Sequence, residues 1–323
     1  MKSIVILDDY QNVALTFGPW DKLAGRATIK VLNRYIGSQA ELTAELADAN
    51  IIVANRERTV ITDALLATLP KLELIVTSGM RNASIDVAAA NARGITVCGT
   101  STLGYPTAEL TWAMILAFMR RLPKEVASLA AGGWQTSVGM GVRGKTLGII
   151  GLGRIGSDVA KVGQAFGMNV VAWSRSLTPE KAAAQGVECV TMDELLARAD
   201  VATIHLLLNK DTRGFIGADK LAKMKSTALL VNTSRAQIVD TAALIAALKA
   251  GTLGGAALDV YDREPLAADD PIRSAPNTLL TPHLGFVMAE NYQITFSQGV
   301  ENIIAWLDGK PTRVIEPNAP AGH

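Results

Sequence analysis

Short runs of aliphatic and β-branched residues recur along the chain, separated by stretches whose apolar residues return at helical spacing. In the first hundred residues the runs fall at 4–7, 51–54, 74–77 and 95–98. Each is of strand length and almost continuously apolar, which marks strands buried on both faces; a strand with one wet face alternates instead. Segments rich in Ala and Leu at 39–49, 63–69 and 85–93 lie between them and favour helix. Strand and helix in alternation predict a parallel sheet covered on both sides.

A second alternation begins near Leu103. Pro106 suits the first turn of a helix over 108–121, which Pro123 then closes. Further strands are predicted at 145–150, 169–173, 201–206, 228–232, 255–260 and 278–280, with helices at 154–166, 192–198, 220–224 and 240–250. Leu244 and Leu248 stand at helical spacing and read as core. A last helix, 289–307, follows the final strand, and its position in sequence leaves open whether it returns to the first unit. The fold class is α/β, with two doubly wound parallel sheets. No repeat of solenoid period and no low-complexity linker interrupts them.

Length agrees with this division, because 323 residues exceed one ordinary core. Half the residues are apolar (49%) and 19% are charged, a globular composition. A formal net charge of +1, with both signs interspersed, gives no electrostatic reason to expect nucleic acid or an anionic membrane as partner. Cys98 and Cys189 lack the spacing of a disulfide framework or a metal site, so reduced thiols and no metal are expected. The run at 4–7 is cut short by Asp8 and Asp9 and reads as a buried strand, not a signal peptide. Residues 112–119 end at Arg120-Arg121, far short of the roughly 20 needed to span a bilayer. A cytoplasmic protein is expected.

The turn Gly151-Leu152-Gly153-Arg154-Ile155-Gly156 follows a predicted strand and opens a predicted helix. GxGxxG alone is weak evidence, but this context is the one dinucleotide binding requires. Gly151 suits a tight turn, Gly153 has no Cβ to obstruct a pyrophosphate, and Gly156 lets helix and strand approach. The helix start, at Arg154 and Ile155, offers N–H groups and the positive dipole end to phosphates. At the end of the next strand, where an NAD site usually carries Asp or Glu, stand Ser174 and Arg175. Neither repels a 2′-phosphate and a guanidinium binds one, which favours NADP over NAD.

Three later segments also follow strands: Asn232-Thr233-Ser234-Arg235-Ala236, Asp259-Val260-Tyr261-Asp262-Arg263-Glu264-Pro265-Leu266, and Thr281-Pro282-His283-Leu284-Gly285. Ligands of open α/β sheets bind outside the carboxyl ends of strands. Reduction of a 2-keto acid needs a cation for the carboxylate and carbonyl, an acid titrating near neutrality, and a carboxylate to orient that acid. Arg235, His283 and Glu264 fit these roles in that order. Of the other histidines, His205 ends an apolar strand and reads as a packed residue, and His323 is terminal.

With these segments in view, the chain resembles the D-isomer-specific 2-hydroxyacid dehydrogenase family over almost its full length. Gly144-Lys145-Thr146-Leu147-Gly148-Ile149-Ile150 running into the Gly turn, and the three strand-end segments above, carry the resemblance. It implies NAD(P)-dependent interconversion of a 2-keto acid and a D-2-hydroxy acid, with Arg235, Glu264 and His283 in the roles already named. It implies a Rossmann cofactor domain, 103–284, inserted in a flavodoxin-like substrate domain, 1–102 plus 285–323, with hinges near 101–103 and 284–287. A homodimer through the cofactor domain, using the helix around 108–121, is likewise implied. On the cofactor side fall Gly151, Gly153, Arg154, Ile155, Gly156, Ser174, Arg175, Thr233 and Asp259, the last resembling an aspartate near the nicotinamide amide. On the substrate side fall Ser78, Gly79, Met80, Arg81 and Arg235.

The chain departs from the family pattern in Arg81, where many members keep glycine, in Ala236 after the arginine, and in Leu207 after His205-Leu206. These bear on substrate preference; Arg58, Phe286 and Tyr292 are further candidates for reading its distal group. Two rival readings are a dinucleotide sensor without activity and formate oxidation. A sensor needs no proton donor, and related formate enzymes carry Gln where Glu264 stands.

Overall fold

The computed structural model describes residues 1–317; His323 lies outside them. The chain separates into two compact units, one of Met1–Leu103 with the segment from Met288 onward, the other of Gly104–Val287.

The first unit is built on five parallel strands: β1 (Lys2–Ile6), β2 (Ala27–Val31), β3 (Ile51–Ala54), β4 (Leu74–Thr77) and β5 (Thr96–Gly99), in the order β2-β1-β3-β4-β5. This is the flavodoxin-like order. The hydrophobic runs predict four of these strands and miss β2. That strand lies at the sheet edge, alternates half-buried and exposed positions and carries Lys30, so it lacks the continuous apolar signal of its neighbours. Val5, Leu46, Ile52, Leu65, Ile75 and Val97 pack in one core. The helix Ala289–Leu307 packs against β4 within this unit. Asn302 Nδ2 donates to the Gly99 carbonyl (2.8 Å), and Phe296 is fully buried beside Trp20. Both ends of the described chain therefore build one unit.

The second unit carries seven parallel strands: β6 (Thr146–Ile150), β7 (Asn169–Trp173), β8 (Glu188–Cys189), β9 (Val201–Ile204), β10 (Leu229–Asn232), β11 (Gly255–Leu258) and β12 (Thr278–Leu280). Their order is β12-β11-β10-β9-β6-β7-β8. The connections run outward one way from β6 to β7 and β8, then return to β9 on its other flank. That reversal leaves a crevice at the carboxyl ends of β6 and β9, the topological switch point of a doubly wound fold. Separate cores cover the two faces, one around Leu195, Leu230 and Leu244, the other around Trp112, Val159 and Val231. Burial on both sides is why these strands read as unbroken apolar runs.

Three departures from the predicted elements have local causes. The long helix spans Pro106–Met119, but Pro123 does not end helical structure: it sits in the first turn of a new helix, Leu122–Ala130. Arg121 adopts φ +57°, turning the chain so that proline's missing N–H falls where no helical acceptor is needed. The helix expected at 220–224 lies earlier, at Ala218–Leu221. Strand β8, with two residues, is too short to leave a periodic signal. Both cysteines are thiols, and Cys98 is buried, which pushes its pKa up to about 11. Among the described residues no helix is long and apolar enough to cross a membrane, and no cluster of His, Cys, Asp and Glu has the makings of a metal site.

Candidate active site

The switch-point crevice begins with the glycine turn. Gly151 has φ +104°, and a Cβ there would fall 2.7 Å from the His205 carbonyl oxygen at the end of β9. At Gly156 a Cβ would lie 2.2 Å from the Gly151 carbonyl oxygen, so both positions exclude any side chain. Gly153 differs: a Cβ there would meet no protein atom within 4 Å. What its hydrogen leaves open is approach from outside to the start of the helix Arg154–Ala165. Gly153 is the N-cap of that helix and no side chain caps it, so the first-turn N–H groups face outward. The turn thus fits a pyrophosphate on its own geometry.

Ser174, just beyond β7, accepts a hydrogen bond from the Leu152 N–H (2.7 Å), which fastens the second lip of the crevice to the turn. Arg175 is exposed and pairs with Asp211, from the loop after β9, at 3.0 Å. His205 packs under the turn with Nε2 3.0 Å from Thr203 Oγ1, and burial pushes its pKa down to about 4. It is a neutral structural imidazole at ordinary pH, not an acid for the crevice.

The other chemistry-bearing residues stand beyond β10, β11 and β12, three strands adjacent in the sheet. After β10, Asn232 shapes the loop: its Oδ1 accepts from the Ser234 N–H (3.0 Å) and its Nδ2 donates to the Arg235 carbonyl (2.9 Å). Ser234 Oγ donates to the Leu206 carbonyl and Arg235 Nη1 to the Ser234 carbonyl, while Thr233 is tied to Thr111 by a buried hydroxyl pair. Arg235 is therefore presented by a loop anchored on both sides.

Beyond β11 and β12, Nδ1 of His283 lies 2.5 Å from Glu264 Oε2. The other carboxylate oxygen of Glu264 accepts from the Tyr261 N–H at 2.9 Å. Both side chains keep about a quarter of their surface accessible, 24% and 29%. Phe286 meets the imidazole edge-on, with centroids 5.8 Å apart. With Nδ1 committed to the carboxylate, Nε2 is the nitrogen left to exchange a proton. His283 has φ +53°, a left-handed conformation uncommon for a residue with a Cβ.

That conformation is held by Asp259, and the sequence does not reveal it. Asp259 is fully buried; its Oδ1 accepts from Thr281 Oγ1 and the Leu284 N–H (both 2.7 Å), its Oδ2 from the Gly285 N–H (2.8 Å). One carboxylate thereby grips the His283 turn from both ends. Burial raises its pKa, against these hydrogen bonds and the nearby His283. Tyr261 adds a second brace, its hydroxyl 2.9 Å from the Thr281 carbonyl and 3.1 Å from that of Leu258.

In the first unit, Ser78, Gly79, Met80 and Arg81 form the loop after β4. Gly79 has φ +88° and donates to Thr100 Oγ1 (3.2 Å), and Ser78 Oγ accepts from the Arg56 N–H (2.7 Å). Asn82 Nδ2 bonds the Arg56 carbonyl (2.6 Å), knitting this loop to the one after β3. Gly99 on β5 must also be glycine, since a Cβ would lie 2.6 Å from the Gly79 carbonyl oxygen. Within its own unit, each set of predicted residues is thus assembled at the carboxyl ends of strands.

A glycine turn that fits a pyrophosphate, sharing one sheet with a paired histidine and an anchored arginine, is the arrangement a dinucleotide-dependent oxidoreductase requires. Residues 112–285 match the NAD binding domain of the D-isomer specific 2-hydroxyacid dehydrogenases, and the chain belongs to that family. It is 41% identical over 256 residues to a glyoxylate reductase of Aeropyrum pernix, covering 76% of each chain. It is 38% identical over 284 residues to a D-3-phosphoglycerate dehydrogenase of Archaeoglobus fulgidus, covering 85% of this chain but only 53% of that protein. The crystal structure of a putative D-3-phosphoglycerate dehydrogenase from Ralstonia solanacearum superposes with a TM-score of 0.92 at 38% identity, over 99% of each chain. The protein is an NAD(P)-linked enzyme that interconverts a 2-keto acid and a D-2-hydroxy acid. These relatives support the enzyme reading over the sensor.

Proposed function

We propose that Arg235, Glu264 and His283 carry this reaction, that the substrate is a small 2-keto acid, and that the preferred cofactor is NADP. The observation that carries the proposal is the 2.5 Å pair of His283 Nδ1 with Glu264, on the same sheet as the phosphate turn. Bound at that turn, the reduced dinucleotide supplies the hydride. Arg235 holds the substrate carboxylate and polarises the adjacent carbonyl, the task for which a guanidinium's forked donors are suited. His283 gives the Nε2 proton to the carbonyl oxygen as it becomes an alkoxide, and Glu264 balances the imidazolium and fixes its ring. In the oxidative direction the same groups work in reverse. Within the first unit, the Ser78–Arg81 loop after β4 is the candidate for substrate binding.

Formate has no hydroxyl proton to exchange, and the Glu264–His283 pair serves proton transfer better than it serves hydride loss from formate. A glyoxylate-sized substrate is favoured by a glyoxylate reductase that matches over 76% of both lengths. The chain spans about half the length of the Archaeoglobus fulgidus phosphoglycerate dehydrogenase but 99% of the putative one from Ralstonia solanacearum, so 3-phosphoglycerate is the second candidate. The test is oxidation of NADPH and NADH over a panel of glyoxylate, hydroxypyruvate, phenylpyruvate and phosphohydroxypyruvate, with formate as control. The expected result is turnover of glyoxylate or hydroxypyruvate with a lower KM for NADPH; a strong NADH preference would overturn the cofactor reading.

A homodimer through the second unit belongs to the same proposal. The helix Leu122–Ala130 buries none of its residues, and Leu122, Val126, Leu129, Trp134 and Val138 are all exposed, Val138 at 92%. Apolar surface of that extent on one segment is the mark of an interaction site. The preceding helix, Pro106–Met119, is largely spent on its own unit's core, so the apolar face is offered chiefly by the next segment. Val126→Glu together with Leu129→Glu is expected to convert a dimer to a monomer in light-scattering measurements. A wild-type monomer at micromolar concentration would refute the assembly.

A further inference from the structure

We propose that Asp211 is a specificity-determining residue that restrains the preference for NADP: its carboxylate competes with a 2′-phosphate for Arg175. The inference rests on the cofactor reading above and takes it one residue further. Arg175 lies on the β7 side of the switch-point crevice, one residue after Ser174, whose hydroxyl is bonded to the Leu152 N–H at 2.7 Å. Asp211 lies on the β9 side, and Arg175 Nη1 donates to Asp211 Oδ2 across the gap at 3.0 Å.

The carboxylate is built into its place. Asn209 Oδ1 accepts from the backbone N–H of Asp211 (2.8 Å) and of Thr212 (3.1 Å). Thr212 Oγ1 in turn donates to the Leu207 carbonyl (2.7 Å), and the Asn209 N–H donates to that hydroxyl (2.8 Å). A short polar turn therefore fixes the backbone from which Asp211 projects. The loop is ordered without help from the ion pair.

The pair has little structural worth. The Arg175 and Asp211 side chains are 79% and 53% exposed, and exposed pairs contribute almost nothing measurable to folding. Its consequence is electrostatic. A nucleotide phosphate that engages Arg175 must displace Asp211 or sit beside it, and both groups are anionic. A ribose 2′-hydroxyl is neutral and escapes that repulsion. Asp211 therefore handicaps NADP selectively, while the guanidinium remains able to bind a phosphate more strongly than a single carboxylate, through paired donors. The balance of the two residues places the site between the extremes: Ser174 and Arg175 admit the phosphate, and Asp211 keeps NAD competitive.

Isothermal titration of the whole protein with NADP⁺ and NAD⁺, without substrate, reads this directly. Asp211→Asn keeps the size of the side chain and removes its charge. It is expected to tighten NADP⁺ binding about tenfold at low salt, to change NAD⁺ binding by less than about twofold, and to lose most of the gain near 1 M salt. Arg175→Ala is expected to weaken NADP⁺ about tenfold or more and to erase the effect of Asp211→Asn in the double variant. If Arg175→Ala weakens NADP⁺ but Asp211→Asn leaves it unchanged or weaker, the proposal fails while the cofactor reading stands. If NAD⁺ binds and Arg175→Ala has no effect on NADP⁺, both fail together. Both side chains are exposed and none of the catalytic machinery is touched, so thermal melts should match wild type.

Discussion

His283→Ala is expected to lower turnover of keto-acid reduction by ~10²–10⁴-fold while leaving dinucleotide affinity almost unchanged. The size follows from the loss of a positioned proton donor: without it, the developing alkoxide must take its proton from water. The geometry makes the experiment clean. His283 pairs with Glu264 at 2.5 Å, and Asp259 grips the flanking turn through the Thr281 hydroxyl and the backbone N–H groups of Leu284 and Gly285. None of these bonds needs the imidazole except the first. The turn should therefore persist in the variant, and a fall in kcat reports chemistry instead of collapse. Single-turnover reduction with preloaded NADPH measures the step, and fluorescence titration checks the cofactor. A near-neutral rate equal to wild type would end the assignment.

Arg235→Ala should be comparably severe through a different constant. Two hydrogen bonds from a guanidinium to a carboxylate are each worth roughly 1.5–3 kcal/mol, so kcat/KM for the keto acid is expected to fall by about two to four orders of magnitude. The loop around Arg235 is held by Asn232 and Ser234, whose bonds involve the backbone of residue 235 and the Leu206 carbonyl. Truncating the side chain leaves them in place. Arg235→Lys restores the charge but not the forked geometry and should recover only part of the loss. Substrate-dependence curves with NADPH held saturating distinguish the outcomes; an unchanged KM and kcat for Arg235→Ala would remove this residue from the substrate site.

Much of the candidate site is legible before folding is considered, because its signals are local. Gly151, Gly153 and Gly156 announce a tight turn, and the structure shows why the first and third must be glycine: a Cβ there would collide with backbone at 2.7 or 2.2 Å. Arg235, Glu264 and His283 are legible from their shared position just after strands. The residues that hold them are not. Asp259 reads as a cofactor contact from the family pattern, yet its oxygens are taken up by the His283 turn 22 to 26 positions later. Thr111, paired with Thr233 across 122 positions, carries no sequence signal. The same holds for Asp211, whose partner is 36 residues away.

The sequence by itself determined the two alternations of strand and helix, the glycine turn and which side chains are the candidates for the reaction. Each depends on periodicity, on backbone sterics or on side-chain chemistry, all of which act over a few residues. It could not decide that the helix Ala289–Leu307 returns to build the first unit, that β2 completes that sheet from its edge, or that Pro123 opens a helix instead of closing one. These depend on which distant surfaces bury one another. Only the tertiary structure also decided that a second carboxylate, Asp259, holds the turn on which His283 stands. Glu264 and Asp259 are the same chemical group five residues apart; one keeps 29% of its side-chain surface accessible and meets the imidazole, the other is sealed beneath it. Burial and hydrogen-bond geometry, not composition, separate their tasks.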